Sequence, residues 1–278
     1  MYKYTSPASL KRFTIAPAIP DFHPLGIAFD ASTSKLYAIN HSRFNGSVIE
    51  IFALDASTAT LHHERTFKHP LLHAPNAMHI LGGGKMYITN DHYITAAVSP
   101  VLNKIETFSN VPGGSVVFID LKFPETDKIV ARVGFANGLA KINQTTLAVA
   151  STAAPGIVFF DIQANYDLVR TRIVRTPAAV DNLSVDGKGR VLAAGHPFAP
   201  RLMGVSKRRP GCVEGGEEAC RCDSPSWAGE WSEEGGLKTL LADGGESVCS
   251  SSTVVRDVKR GVGIVSMLYG RGIVVFED

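Results

Sequence analysis

Four residues carry the chemistry of this 278-residue chain: Asn76, Asn137 and the adjacent pair Asp181 and Asn182. Each opens a short apolar run, in Asn76-Ala77-Met78, Asn137-Gly138-Leu139 and Asp181-Asn182-Leu183. Leu25-Gly26-Ile27 and Ser252-Thr253-Val254 stand at the same phase of two further runs. Amide and carboxylate oxygens aimed at one point suit a hard cation such as Ca²⁺, which takes about 6–8 oxygen ligands. Zinc prefers His and Cys and is a poor match. An Asn or Asp also caps turns before strands in any β protein, so one such residue would signal nothing. Its return at one phase in three units points to the cation. His41 follows the run Lys35–Asn40 at the strand end, where a side chain can point into the mouth, and a satisfied loop histidine is the competing reading. Asp91 beside His92 can orient a neighbouring imidazole. His62, His63, His69, His73 and His79 match no motif and read as surface or turn residues.

The elements that must position these groups are short strands. Gly26–Asp30, Lys35–Asn40, Ser47–Leu54 and Leu61–Phe67 are β-branched and aromatic runs separated by Ser, Asn, Asp and Gly turns, the pattern of an antiparallel meander. The four-run unit recurs over 78–133, 139–174 and 183–242, and a fifth copy over 253–276 has three runs. Residues 25, 76, 137, 181 and 252 mark steps averaging about 57 residues, the period of four-stranded blades. The expected fold is therefore all-β, a single β-propeller domain over 1–278 with five countable blades. First strands line the channel of a propeller, so residues at one phase should meet at its mouth. Lys11–Ile15 is expected to supply the outer strand of the fifth blade and close the ring. No Trp-Asp dipeptide ends a third strand, so a WD-type interaction propeller loses ground.

Two excursions break the rhythm. Residues 93–114 are expected to hold a short helix with Pro100 in its first turn, burying Val98, Val101, Leu102 and Ile105, either as a lid or as a plain surface helix. Residues 204–225 read as an irregular loop rich in Cys, Gly and Glu. Composition excludes other classes. The chain is 45% hydrophobic and 19% charged, with 28 Lys plus Arg against 26 Asp plus Glu, so wholesale disorder is excluded and no charge excess favours nucleic acid. No run reaches the roughly 18–20 apolar residues of a membrane span, and Met1–Pro20 lacks a signal-peptide apolar core.

The chain resembles the serum paraoxonase/arylesterase family of six-bladed calcium propellers. The motifs are Pro24-Leu-Gly-Ile27, Ile39-Asn-His41, Pro75-Asn-Ala-Met78, Thr89-Asn-Asp-His-Tyr93, Phe135-Ala-Asn-Gly138, Val180-Asp-Asn-Leu-Ser-Val-Asp186, Gly195-His-Pro197 and Ser252-Thr-Val254. They run in order over about residues 22–276. The resemblance implies Asn76, Asn137, Asp181 and Asn182 as side-chain ligands of a catalytic calcium, His41 as one of a catalytic histidine pair, and His92 and His196 near the site or channel. It also implies a small-molecule substrate, an aryl ester, lactone or phosphotriester. Calcium would polarise the carbonyl or phosphoryl oxygen while a histidine-assisted water attacks.

Departures from the family sharpen the expectation. Leu25 stands where the family has its other paired histidine, with His23 two residues earlier; Ala77 replaces an Asp of the structural calcium; and the family's N-terminal Glu-Asp segment has no match before Leu25. Asp181 is then the only matched carboxylate, which predicts weak Ca²⁺ binding and a doubtful second ion. A calcium-dependent esterase or lactonase is expected, with a catalytically degenerate binding scaffold as the alternative. Five blades against six suggest a chain lacking its N-terminal blade rather than a true five-bladed ring, and the resemblance suggests a secreted or membrane-anchored full-length protein. The cysteines, Cys212, Cys220, Cys222 and Cys249, lack the spacing of a zinc knuckle, and a disulfide from this loop to Cys249 is open in an oxidising compartment. Asn45, Asn143 and Asn182 are formal glycosylation acceptors.

Overall fold

In the computed structural model, which describes residues 12–109, 111–212 and 216–277, the repeating runs form successive antiparallel sheets. A short strand, β1 (Thr14–Ala16), leads into blade one, made of β2 (Pro24–Asp30), β3 (Lys35–Ser42), β4 (Gly46–Asp55) and β5 (Thr60–Phe67). Blade two is β6 (Pro75–Gly82), β7 (Lys85–Asn90), β8 (Ser115–Asp120) and β9 (Lys128–Arg132). Blade three is β10 (Ala136–Lys141), β11 (Thr146–Ser151), β12 (Gly156–Ile162) and β13 (Leu168–Arg175). Blade four is β14 (Ala179–Val185), β15 (Val191–His196), β16 (Ser226–Ser232) and β17 (Gly236–Asp243). Blade five has β18 (Ser251–Asp257), β19 (Val262–Met267) and β20 (Ile273–Glu277). The arrangement is the expected β-propeller.

Tight turns at one end of the blades are built by Asp and Asn. The carboxylates of Asp30, Asp55, Asp120, Asp186 and Asp257 each accept a backbone N–H two residues on, and Asn143 does so with its amide oxygen. This local bond competes well with an extended ladder and stops the strand there. The longer excursions all leave from the opposite end, the mouth, where Ser42, Asn90, Ser151 and His196 end the second strands.

The core lies at the seams between blades. Tyr37, Ile39 and Ile51 meet Met86, Ile88 and Ile119 between blades one and two. Tyr87 and Phe118 meet Leu147 and Phe160 in the next seam, Ile157 and Phe159 meet Trp227 and Trp231 in the third, and Leu192 and Ala228 meet Val254 and Val265 in the fourth. Among the described residues no packing of comparable extent joins β18 to β2. Ile27 and Phe29, on the side of β2 away from blade two, are exposed, as are Val255, Ile273 and Val275 of blade five. Among the described residues the arc of blades is open at this seam.

The expected closing strand takes another place. Lys11 lies outside the described residues, and Thr14–Ala16 runs parallel to β5, pairing Thr14 with Thr60 and Ala16 with His62. Thr14 N–H also donates to Ala59 O at 2.9 Å, so β1 extends blade one, and blade five has three strands among the described residues.

The first excursion does contain a helix, α1 (Pro100–Phe108), with Ser99 as its cap and Pro100 at its first position. Its orientation is opposite to that expected. Val98, Val101, Leu102 and Ile105 are exposed, and the buried residue is Glu106. The Glu106 carboxylate accepts Tyr93 N–H at 2.7 Å and Ile94 N–H at 2.9 Å, while Asn103 Nδ2 donates to Ile94 O. Fully satisfied polar groups can therefore form the inner face, and apolar spacing alone does not say which way a helix looks. The second excursion carries α2 (Ala199–Arg208) and α3 (Glu217–Cys220), tied by disulfides Cys212–Cys220 and Cys222–Cys249. No helix among the described residues is long and apolar enough to cross a membrane.

Candidate active site

Every inner strand carries a register shift near its start. The shifts fall between Pro24 and Ile27, Pro75 and Met78, Ala136 and Leu139, Val180 and Leu183, and Ser251 and Thr253. The residues inside them are Leu25-Gly26, Asn76-Ala77, Asn137-Gly138, Asp181-Asn182 and Ser252. A β-bulge inserts an unpaired residue and re-aims its side chain, and bulges recur beside active sites. These residues are thus bulge residues inside the inner strands.

Glycine lets the bulges approach one another. A Cβ on Gly26 would lie 2.3 Å from Asn76 O, and one on Gly138 would lie 2.5 Å from Asn182 Cα. Any larger residue would force neighbouring inner strands apart at the mouth.

The polar contacts divide by blade. Asn137 Nδ2 donates to Thr152 Oγ1 at 3.1 Å, and that hydroxyl donates to Val180 O at 2.6 Å, joining blades three and four. Asn137 Oδ1 is buried and accepts no hydrogen bond among the described residues. Asn182 Nδ2 donates to Asp181 Oδ1 at 3.2 Å, and Asp181 Oδ2 lies 3.3 Å from His196 Nε2. His196 is buried, with Nδ1 unpartnered. In blade two, Asn76 Nδ2 lies 3.5 Å from Asp91 Oδ2. The other Asp91 oxygen is 2.9 Å from His92 Nδ1, whose Nε2 meets Thr107 Oγ1 of α1 at 2.7 Å. The excursion helix is therefore pinned to a mouth histidine, which packs 4.4 Å from the Phe135 ring.

His41 is half-buried, its Nδ1 3.0 Å from Ser47 Oγ, and it bonds none of these groups. Leu25 is half-exposed and Ala77 is buried in the apolar seam between blades two and three. Among the described residues no cluster of three or more His, Cys, Asp or Glu side chains could hold a metal ion. A cation here must draw on the asparagine amides. The orphaned Asn137 oxygen and the Asp181 carboxylate are the donor chemistry a hard cation takes. Sequence reasoning missed Thr152, Thr107 and Glu106, since a Thr at a strand end and polar residues in an amphipathic helix carry no distinctive spacing.

This geometry defines a β-propeller with an oxygen-rich mouth. The chain belongs to the arylesterase family, whose pattern matches residues 10–259. It is 34% identical to serum paraoxonase/lactonase 3 of Oryctolagus cuniculus over 68% of this chain and 53% of that one. Against the Mus musculus counterpart identity is 33%, over 80% of this chain and 59% of the relative. Serum paraoxonase/arylesterase 2 of Canis lupus familiaris is 29% identical over 92% of the chain and 69% of its own length. The chain thus spans little more than half the length of the first two relatives. Among solved structures, a gluconolactonase from Xanthomonas campestris superposes with a TM-score of 0.54 at 16% identity, covering 88% of this chain and 69% of that one. A luciferin-regenerating enzyme gives 0.52 at 12% identity, covering 89% and 85%. Likenesses at such identity concern the fold alone.

Proposed function

We propose that this chain hydrolyses esters and lactones of small molecules at the propeller mouth, with a calcium ion held by Asn76, Asn137, Asp181 and Asn182. The observation that carries the reading is the set of oxygen side chains on equivalent bulges, with the buried Asn137 Oδ1 left without a partner. Membership of the arylesterase family and the names of its relatives support the substrate class. Bound calcium supplies positive charge that polarises a carbonyl or phosphoryl oxygen. The chain's own residues do the rest. Asp181 and the three amides fix the oxygen cage, the Thr152 bridge holds blade three to blade four, and an imidazole at the mouth of blade one accepts the proton of the attacking water. His41 is the imidazole that the sequence marks for this task. With one carboxylate in the set, the ion is held weakly.

Hydrolysis of phenyl acetate and of a γ- and a δ-lactone, with Ca²⁺ and with chelator, tests the reading. Activity that is lost on chelation and restored by Ca²⁺ is expected. Activity indifferent to chelator removes the calcium role, and no hydrolysis of any ester removes the catalytic one. A second reading, a scaffold that binds the ion without turnover, is favoured by Leu25 and by Ala77 within the apolar seam. It requires a Ca²⁺-dependent rise in melting temperature without hydrolysis.

A further inference from the structure

Asp21 is a buried hub just ahead of β2. Its Oδ2 accepts Ser42 Oγ–H at 2.8 Å and Arg43 N–H at 2.6 Å, and its Oδ1 accepts Arg43 Nε–H at 2.9 Å. The same Oδ1 lies 2.9 Å from His23 Nε2. Burial alone would raise this carboxyl, but hydrogen bonds from Ser42, Arg43 and His23 outweigh it and hold it well below the usual carboxylate range. It is ionised at any working pH. The His23 ring is half-exposed above it, with Nδ1 unpartnered among the described residues. His23 is also locked to β3, the strand that carries His41, since its N–H donates to Asn40 Oδ1 at 2.8 Å and its carbonyl accepts His41 N–H at 3.1 Å. Three residues on, Gly26 lies against Asn76 O.

We propose that His23, backed by Asp21, is the proton-accepting imidazole of the mouth, and that His41 is its hydrogen-bonding neighbour. The proposal rests on the hydrolase reading and assigns its base. The other histidines exclude themselves. His92 has both ring nitrogens engaged, and His196 is buried with its Nδ1 enclosed. His63 faces Glu50 from the outer strand β5, and His69 faces Asp127 from the link between blades one and two. His41, His62, His73 and His79 form no ion pair with a carboxylate among the described residues. A carboxylate behind an imidazole fixes its tautomer and stabilises the imidazolium formed as the proton arrives. Here Nε2–H points at Asp21, which leaves the Nδ1 lone pair for the proton.

The step balances without a further reagent. A water oxygen bonds to the ester or lactone carbonyl carbon and its proton passes to His23 Nδ1. The tetrahedral intermediate then expels the alkoxide or phenoxide oxygen, which takes that proton back. The products are an acid and an alcohol, or the opened hydroxy acid. The charged groups facing the imidazole are Asp21 and, through the shared oxygen, Arg43.

The test compares His23→Gln with His41→Gln in the full chain, following phenyl acetate hydrolysis with Ca²⁺ from pH 5 to 9. His23→Gln is expected to lower kcat by about 100-fold, the usual yield of general base catalysis, and to flatten the acidic limb of the profile. KM and the Ca²⁺-induced shift in Tm should stay at wild-type values. His41→Gln should lose less and keep the limb. Acylation of exposed histidines by diethyl pyrocarbonate gives a second readout: modification of His23 should track loss of activity, and a slow lactone should protect it. A His23→Gln variant within twofold of wild type, with its limb intact, overturns the assignment while leaving the hydrolase reading standing. A wild-type chain that hydrolyses no ester sinks the hydrolase reading itself, and the assignment with it.

Discussion

At the residue scale, Asp181 concentrates the demands on the mouth. It is the only carboxylate in the proposed ligand set, and it also meets His196 Nε2 at 3.3 Å. Asp181→Ala is expected to abolish the Ca²⁺-dependent rise in Tm and also to lower the Tm of the ion-free chain, because buried His196 loses the partner of its Nε2. A variant whose Tm still climbs with Ca²⁺ would place the ion elsewhere. The common phase of Asn76, Asn137, Asp181 and Asn182 was legible in the sequence because blades repeat, and repetition turns a weak turn signal into a pattern. What one sequence could not display is that each position is a bulge, since a bulge is a property of the partner strand's register. Nor could it display Thr152, whose hydroxyl joins Asn137 to the backbone of the next blade.

Elements were easier to read than their orientation. The runs of blades one to five stand where the alternation of strand and turn residues placed them, because Asp and Asn side chains terminate the strands locally. Helix α1 shows the limit. Its apolar stripe marked a helix and its Pro100 marked the first turn, but the buried face is set by Glu106, whose two backbone partners lie in the preceding loop. Two substitutions separate the faces. Glu106→Ala leaves the Tyr93 and Ile94 N–H groups unpaired and should cost about 2 kcal/mol in a chemical-denaturation measurement. Val101→Ser removes an exposed side chain and should change stability by less than about 0.5 kcal/mol. A large loss for Val101→Ser would mean that the apolar face is covered after all. The same helix holds His92 through Thr107, so Glu106→Ala should also loosen the mouth.

At the scale of the whole molecule, the inner strand β6 carries a pH-sensitive group. His79 on β6 is pushed down from 6.5 to about 4, chiefly by burial and then by the charge of Lys141. Between those values the folded chain keeps His79 neutral while the unfolded chain protonates it. The contribution to stability is therefore complete above about pH 6.5 and is lost as pH falls towards 4, by up to about 3 kcal/mol. Asp21 and Asp186, both held below the usual carboxylate range, lose their contributions only at lower pH still. Denaturant titrations at pH 7.5 and 5.0 should show the loss, and His79→Asn should reduce it; an equal loss in the variant would assign the effect to other groups. The propeller was legible from the period, while the place of β1 was not: the sequence reading puts that strand on blade five, and the edge it takes is set by its backbone pairing with Thr60–His62, which no spacing announces.

Blade five ends on β20, and that ending has a consequence for how the protein meets other chains. Outer strands elsewhere are guarded: β9 carries Lys128 and Arg132, β13 carries Arg170, Arg172 and Arg175, β17 carries Lys238, and β5 is covered by β1. Charged side chains on an edge make it a poor template for a further strand. In β20 the run Ile273-Val-Val-Phe276 is apolar and only the terminal Glu277 is charged, and among the described residues the strand pairs only with β19. Its outer ladder of N–H and C=O groups, unpaired among the described residues, is where a strand from another molecule would add most readily, so any self-association of this chain is expected to begin at that edge.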